Sequence, residues 1–285
     1  MNARAPDGGE PPTVFFLSDY GLRDEFVGVV HAVIRKLVPS AAVVDLTHGV
    51  TPFDVRAGAQ TLLRAVPHLG AGTVLAVVDP GVGTERRGVA VEGRDGRWFV
   101  GPDNGLVVPA AEAFGGIARA VSLAKPAGVP DTFDGRDVFA PAAATLALGR
   151  APDGLGELLD PAGLVRLPQP VLEPGSVGDR RSLRAEVTWI DRFGNVQLAA
   201  GSAEGPSERG AVVEVRMGGA GGGRGSGGGR SVQLSARRVR AFGDLRAGEL
   251  GLLVDANGRL ALAVSQGSAA EATGAVEGGV VELIW

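Results

Sequence analysis

The sequence predicts an α/β N-terminal domain with a mostly parallel sheet flanked by helices, followed by a smaller all-β domain. Three observations carry that expectation. From Thr13 to about residue 160, short apolar runs alternate with helical patterns, as in crossover units whose strands run parallel. Pro161, Pro168, Pro170 and Pro174 then crowd a stretch that reads as an extended linker. Beyond it the runs are strand-like. A chain of 285 residues has room for both units.

Taken in order, TVFFLSD is strand-like, and Asp24 to Leu37 carries apolar residues at helical spacing. AAVVDLT is a second strand, Asp54 to Leu69 a second helix and GTVLAVVD a third strand. RGVAVEG and RWFVGPD flank Arg94-Asp95-Gly96, which reads as a hairpin with an Asp-Gly turn. A helical pattern resumes from Asp137 to Leu148. The second domain is read from SLRAEVTWIDRFGNVQLAA, AVVEVRM, SVQLSARRV, LGLLVDANGRLALAV and GVVELIW. The expected boundaries are a tail at 1–12, an α/β domain at 13–160, a linker at 161–182 and an all-β domain at 183–285. The tract GGAGGGRGSGGGR at 218–230 reads as a hairpin insertion. It contains Gly-x-Gly-x-x-Gly spacings, but no helix follows, so a dinucleotide loop is not expected.

Composition removes several function classes. A net charge of -4 gives no basic field to draw nucleic acid or an anionic membrane. Without Cys there is no disulfide, iron–sulfur site, zinc-thiolate site or thiol nucleophile. The N-terminal MNARAPDGGEPP lacks the apolar run of a signal peptide. No run reaches the ~18 apolar residues that span a bilayer. A soluble, cytoplasmic protein is the expectation. The three His residues (31, 48 and 68) show no metal-ligand spacing, so no metal site is expected.

Polar residues sit where strand-like runs end: Asp19, Asp45 with His48, and Asp79. In parallel sheets those ends line the ligand crevice; the competing reading is that each Asp caps the next helix or turn. The densest cluster is Asp79-Pro-Gly-Val-Gly-Thr-Glu-Arg-Arg, where Gly allows close approach to a ligand and Arg86 can return a guanidinium to a carboxylate. Gly101-Pro-Asp-Asn-Gly105 reads as an ordinary turn, Asp137 as a possible helix cap, and Ile190 to Asn195 as a break or bulge in a β pattern. These features give a two-domain protein with an acidic small-molecule site, and no ligand.

Together the motifs FLSDYGLRDEFVGVVHAVI, VVDLTHGVTPFDVRAGA, AVVDPGVGTERRGVAV, WFVGPDNGLV, TFDGRDVFAPAAA, WIDRFGN and LALAVSQGSAA resemble the S-adenosylmethionine (SAM) hydroxide adenosyltransferases. These SAM hydrolases are relatives of the SAM-dependent fluorinase and chlorinase. The resemblance runs from Thr13 to Trp285 and leaves out the tail and the Gly-rich tract. It implies a β-barrel-like C-terminal domain and a homotrimer, with SAM between one subunit's N-terminal domain and its neighbour's C-terminal domain. It implies a SAM substrate, an adenosine product and no cofactor.

The resemblance also implies roles for single residues. Asp19 accepts hydrogen bonds from the ribose hydroxyls, and Phe53 and Phe193 flank the sugar or adenine, with Phe133 also in the binding site. Asp191 and Asn195 contact the methionine amine and the adenine, and Ser265 and Ser268 lie near the methionine carboxylate. In these hydrolases an Asp, an Arg and a His hold the attacking water. Asp79 and Arg86 match the first two, but Asp134 stands where the family has His.

Free hydroxide is out of reach of an ordinary Asp, since making it from water would cost about 16 kcal/mol. Proton removal is therefore expected to accompany attack at C5′, with alignment contributing much of the rate. Two carboxylates around one guanidinium should leave one carboxyl with a raised pKa. Two other readings remain: a SAM- or adenosine-binding protein impaired in catalysis by the change to Asp134, and a halogenase. The halogenases have an uncharged Tyr where Asp79 stands. A carboxylate there repels halide by roughly 4 kcal/mol at 4 Å and an effective dielectric of 20.

Overall fold

The computed structural model describes residues 11–217 and 232–285. Residues 1–10 of the expected tail and the Gly-rich tract at 218–230 lie outside the described residues. The chain divides into two compact units, one ending at Leu167 and one beginning at Pro168.

The first unit is built on a seven-stranded sheet: β1 (Thr13–Ser18), β2 (Ala42–Thr47), β3 (Thr73–Val77), β4 (Gly88–Gly93), β5 (Trp98–Pro102), β6 (Ile117–Leu123) and β7 (Gly156–Leu159), in the order β2-β1-β3-β5-β4-β6-β7. It is mixed. β2, β1, β3 and β5 run parallel, whereas β4, β6 and β7 continue by antiparallel pairing. The antiparallel half starts at the expected hairpin, where Gly96 takes the positive φ that the Asp-Gly turn requires.

Helices cover both faces. Along β1, Val14 and Phe16 face one core cluster, shared with α1 (Phe26–Leu37) and α4 (Ala140–Ala147). Phe15 and Leu17 face the other, beneath α2 (Val55–Ala65) and α3 (Val108–Glu112). An apolar run buried on both faces is what marks such a strand. Burying each large side chain stabilises the fold by about 1.5–3 kcal/mol. In α1 the buried residues Val27, Val30 and Ile34 recur at helical spacing. Asp54 caps α2 by accepting the Ala57 N–H at 2.8 Å. The last predicted helix begins as one π turn, Gly135–Phe139, ahead of α4. Asp137 lies inside that turn and pairs with Arg136 instead of capping.

In the second unit, β9 (Arg180–Ile190), β10 (Val196–Gly201), β11 (Val212–Met217), β12 (Val232–Arg238), β13 (Leu250–Val254), β14 (Arg259–Val264) and β15 (Val280–Ile284) form a barrel, closed where β10 pairs with both β14 and β9. Alternate residues fill it, such as Leu183, Ala185 and Val187 of β9 and Val196, Leu198 and Ala200 of β10. α5 (Ala269–Thr273) adds Ala269 to that core. The stretch expected as linker contains a further strand, β8 (Leu172–Val177), paired to β9. Pro174 is tolerated there because β8 is an edge strand, with one neighbour to satisfy.

Gly101 tests the central sheet. A Cβ at this position would fall 2.2 Å from the Ala76 carbonyl oxygen. Gly101→Ala is expected to lower the unfolding free energy by about 1–3 kcal/mol, read as a lower urea midpoint at unchanged slope.

Candidate active site

Strand direction assembles the site. β1 and β3 are parallel neighbours, so Asp19 and Asp79 leave the sheet at the same edge. β4 runs against them, so Arg86, just before its start, arrives at that edge too. β6 reverses direction again and delivers Lys125 just beyond its end. Segments far apart in the chain thus meet at one edge.

Asp79 and Arg86 form a two-pronged pair, with Nε donating to Oδ1 at 3.0 Å and Nη2 to Oδ2 at 2.5 Å. The same Nη2 donates to Asp134 Oδ2 at 2.8 Å, so both carboxylates do share one guanidinium. Asp134 Oδ1 accepts from Lys125 Nζ at 2.9 Å, and Lys125 also reaches Asp131 at 2.7 Å. The side chains of Asp79, Arg86 and Asp134 are only 7%, 9% and 10% exposed. Burial is the first cause of a raised Asp79 pKa; Arg86 opposes it and Asp134's charge adds to it.

Asp79 and Asp134 line a hollow of about 620 Å³, together with Asp19, Tyr20, Phe53 and Phe133. Arg86 is not among its lining residues and braces both carboxylates from outside it. Asp19 Oδ2 accepts the Phe53 N–H at 2.9 Å. Phe53 holds φ 68, a left-handed conformation that costs roughly 1–2 kcal/mol outside Gly, and the residue is 71% exposed. Phe133 packs edge to face against both Tyr20 and Phe26, whose own rings are tilted to one another by 59°. Burial, then the charges of Asp19, Asp79 and Asp134, push the Tyr20 phenol far above its ordinary pKa. It therefore stays protonated, a neutral O–H donor beside the carboxylates.

The barrel has a hollow of its own, about 800 Å³, lined by residues including Asp191, Phe193, Asn195, Ser265 and Gln266. The segment after Ile190 is a hairpin turn, not a bulge: Ile190 pairs with Val196. Asp191 Oδ1 accepts the N–H groups of Phe193 and Asn195, and Oδ2 accepts from Asn195 Nδ2 at 2.8 Å. Ser268 caps α5 by accepting the Glu271 N–H, and is not among the lining residues.

Sequence reasoning missed Tyr20, Phe26, Lys125 and Asp131. Tyr20 had one available signal, as the single Tyr of the chain. Asp103 and Asn104, in the Gly-Pro-Asp-Asn-Gly turn, have structural work: Asp103 takes Arg87 and the Val165 N–H, and Asn104 donates to the Val78 carbonyl. Asp45 and His48 do not line the hollow.

A helix-covered sheet with a nearly buried carboxylate–guanidinium cluster at its strand ends, followed by a closed barrel, defines a two-domain enzyme class acting on small molecules. Within that class the chain belongs to the SAM hydroxide adenosyltransferase family. The family's N-terminal domain matches residues 14–156 and its C-terminal domain residues 185–282. A protein named (R)-S-adenosyl-L-methionine hydrolase from Salinispora tropica is 46% identical, over 94% of this chain and 95% of its own. The crystal structure of an uncharacterized conserved protein from Thermotoga maritima superposes with a TM-score of 0.82 at 33% identity, covering 95% of this chain and 100% of that one. A fluorinase from an Actinoplanes species is more distant, 31% identical over 65% of this chain and 70% of its own.

Tyr20 leans on Gly135, where a Cβ would fall 2.1 Å from the phenol oxygen. Gly135→Ala is expected to displace Tyr20 and weaken nucleoside binding in calorimetry while the far-ultraviolet circular dichroism stays unchanged.

Proposed function

We propose that this chain hydrolyses SAM to adenosine and L-methionine. The observation that carries this reading is the pair Asp79 and Asp134, facing one hollow and tied through Arg86. Water attacks C5′ of the ribose, the C5′–S bond breaks, and sulfur keeps the electron pair, so methionine leaves as a neutral thioether. The water proton passes to Asp79 and on to solvent. Burial raises the basicity of Asp79, and general-base help of this kind contributes about 10²–10⁴-fold. Asp134, in the place of the family's His, accepts the second hydrogen bond of the water. SAM is the substrate, and the reaction as written uses no cofactor.

The binding roles follow the family pattern. Asp19 takes the ribose hydroxyls, Phe53 and Phe133 bound the sugar, and Phe193, Asp191, Asn195 and Ser265 take the adenine and methionine ends. Phe53 and Phe193, each 71% exposed, are the aromatic surfaces that such a site would cover in a homotrimer of cytoplasmic subunits. No helix among the described residues is long and apolar enough to cross a membrane.

One observation favours a second reading. Asp134 is already held by Arg86 and Lys125, so a protein that binds SAM or adenosine without turnover is the alternative. Halogenation is disfavoured, because two carboxylates face the place a halide would occupy.

Incubation of the protein with SAM, followed by chromatography, tests the proposal. Adenosine and methionine should appear in equal amounts, with or without chloride. Asp79→Asn should lower kcat by about 10²–10⁴-fold with KM little changed. Bound SAM without product would instead establish the binder.

Lys125 gives a second test. Its ammonium offsets the charge of Asp134, which itself raises the Asp79 pKa. Lys125→Met is expected to raise that pKa further, so the acid limb of the pH–rate profile moves to higher pH, and Lys125→Arg should restore it.

A further inference from the structure

The fold gathers two of the three histidines into a cluster that the chemistry above does not use. His31 comes from α1, and Asp45 and His48 from the end of β2. His31 Nε2 lies 2.8 Å and His48 Nε2 3.0 Å from the same oxygen, Asp45 Oδ1. Two imidazole nitrogens and one carboxylate oxygen all fall within 4.8 Å of one another. A tetrahedral Zn²⁺ with ligands at about 2.0–2.2 Å spaces its donors by about 3.3 Å, close to the two nitrogen–oxygen separations already present.

A second, independent observation concerns His48. It is 5% exposed, and although its Nε2 touches Asp45 it is a buried nitrogen without a hydrogen bond. Its Nδ1 lies 2.8 Å from the Ser18 hydroxyl, which also accepts the Tyr20 N–H. In the tautomer that donates its Nδ1 proton to Ser18, Nε2 is a buried lone pair with no donor partner, beside a carboxylate oxygen 3.0 Å away, an arrangement that a cation bound to both would satisfy. Outer-shell anchoring of the far ring nitrogen is the usual arrangement of a metal-bound His. The ring of Phe16 packs against both imidazoles, at 4.6 Å from His48 and 6.1 Å from His31, which restricts their rotation.

We infer that His31, Asp45 and His48 form a binding site for a borderline divalent transition-metal ion, Zn²⁺ being the best fit. Two imidazoles and one carboxylate suit Zn²⁺ and disfavour Mg²⁺ and Ca²⁺, which require more oxygen ligands. His31 and Asp45 reach solvent, so water completes the coordination. The ion would tie α1 and β2 to the segment that carries Asp19 and Tyr20, because the Gly21 N–H donates to the His48 carbonyl at 2.7 Å. Its role is to fix that segment, outside the chemical step.

The test uses the full chain freed of metal by chelation, with the chelator then removed. Zn²⁺ is titrated by calorimetry and Co²⁺ by visible absorption. The expected result is one ion per chain, a higher thermal midpoint with Zn²⁺, and the visible bands of tetrahedral Co²⁺. Mg²⁺ and Ca²⁺ should give no heat. His31→Ala and Asp45→Asn, both at partly exposed positions, should each weaken binding by at least about 10-fold, while His68→Ala, at an exposed position elsewhere, should leave it unchanged. Absence of Zn²⁺ binding, or binding that survives both variants, would overturn the assignment and leave Asp45 as an ordinary partner of His31.

Discussion

Two carboxylates share one guanidinium where water scarcely reaches them, and the rest of the first domain is organised around that arrangement. Removing one partner of such a buried ion pair typically costs 3–5 kcal/mol, because the survivor remains buried and uncompensated. With Lys125 counted beside Arg86, two positive charges face the two negative ones of Asp79 and Asp134. Lys125 is shared in turn with the exposed Asp131. Burial raises the proton affinity of Asp79, which is the property a base requires.

The mixed sheet is what makes this group possible. A wholly parallel sheet brings strand ends to the crevice, and the residues before each strand emerge at the opposite edge. Reversal at β4 brings Arg86, which precedes its strand, to the edge where Asp79 follows one. The second reversal, at β6, returns Lys125 to the same place. The π turn at Gly135–Phe139 follows directly on Asp134, so an irregular helix start adjoins the cluster.

Much of this was legible in the sequence, for identifiable reasons. Asp19 and Asp79 stand out because apolar runs of strand length end at them, and the barrel strands show in their alternation. Asp134 became visible only through the resemblance to a family. Lys125 was not legible, since a Lys in a Pro-containing loop looks like any solvated side chain until the fold sets it against a carboxylate. β8 was hidden because Pro argues against a strand except at an edge, and edges are a property of the finished sheet. The grouping of His31 with Asp45 and His48 was hidden for a similar reason, being divided between a helix and the neighbouring strand.

The register of β11 and β12 carries a consequence for the chain between them. Their pairing persists to Met217 opposite Val232, so the segment between them departs and returns at a single rung of the ladder. Barrel closure rests on the strand pairings, that of β11 with β12 among them, and not on how many residues intervene. Loop-closure entropy grows only with the logarithm of length, about 0.6 kcal/mol for each doubling. The position is thus a natural port, where evolution can lengthen or shorten the chain, or an experimenter can graft a reporter, without changing strand number or stagger.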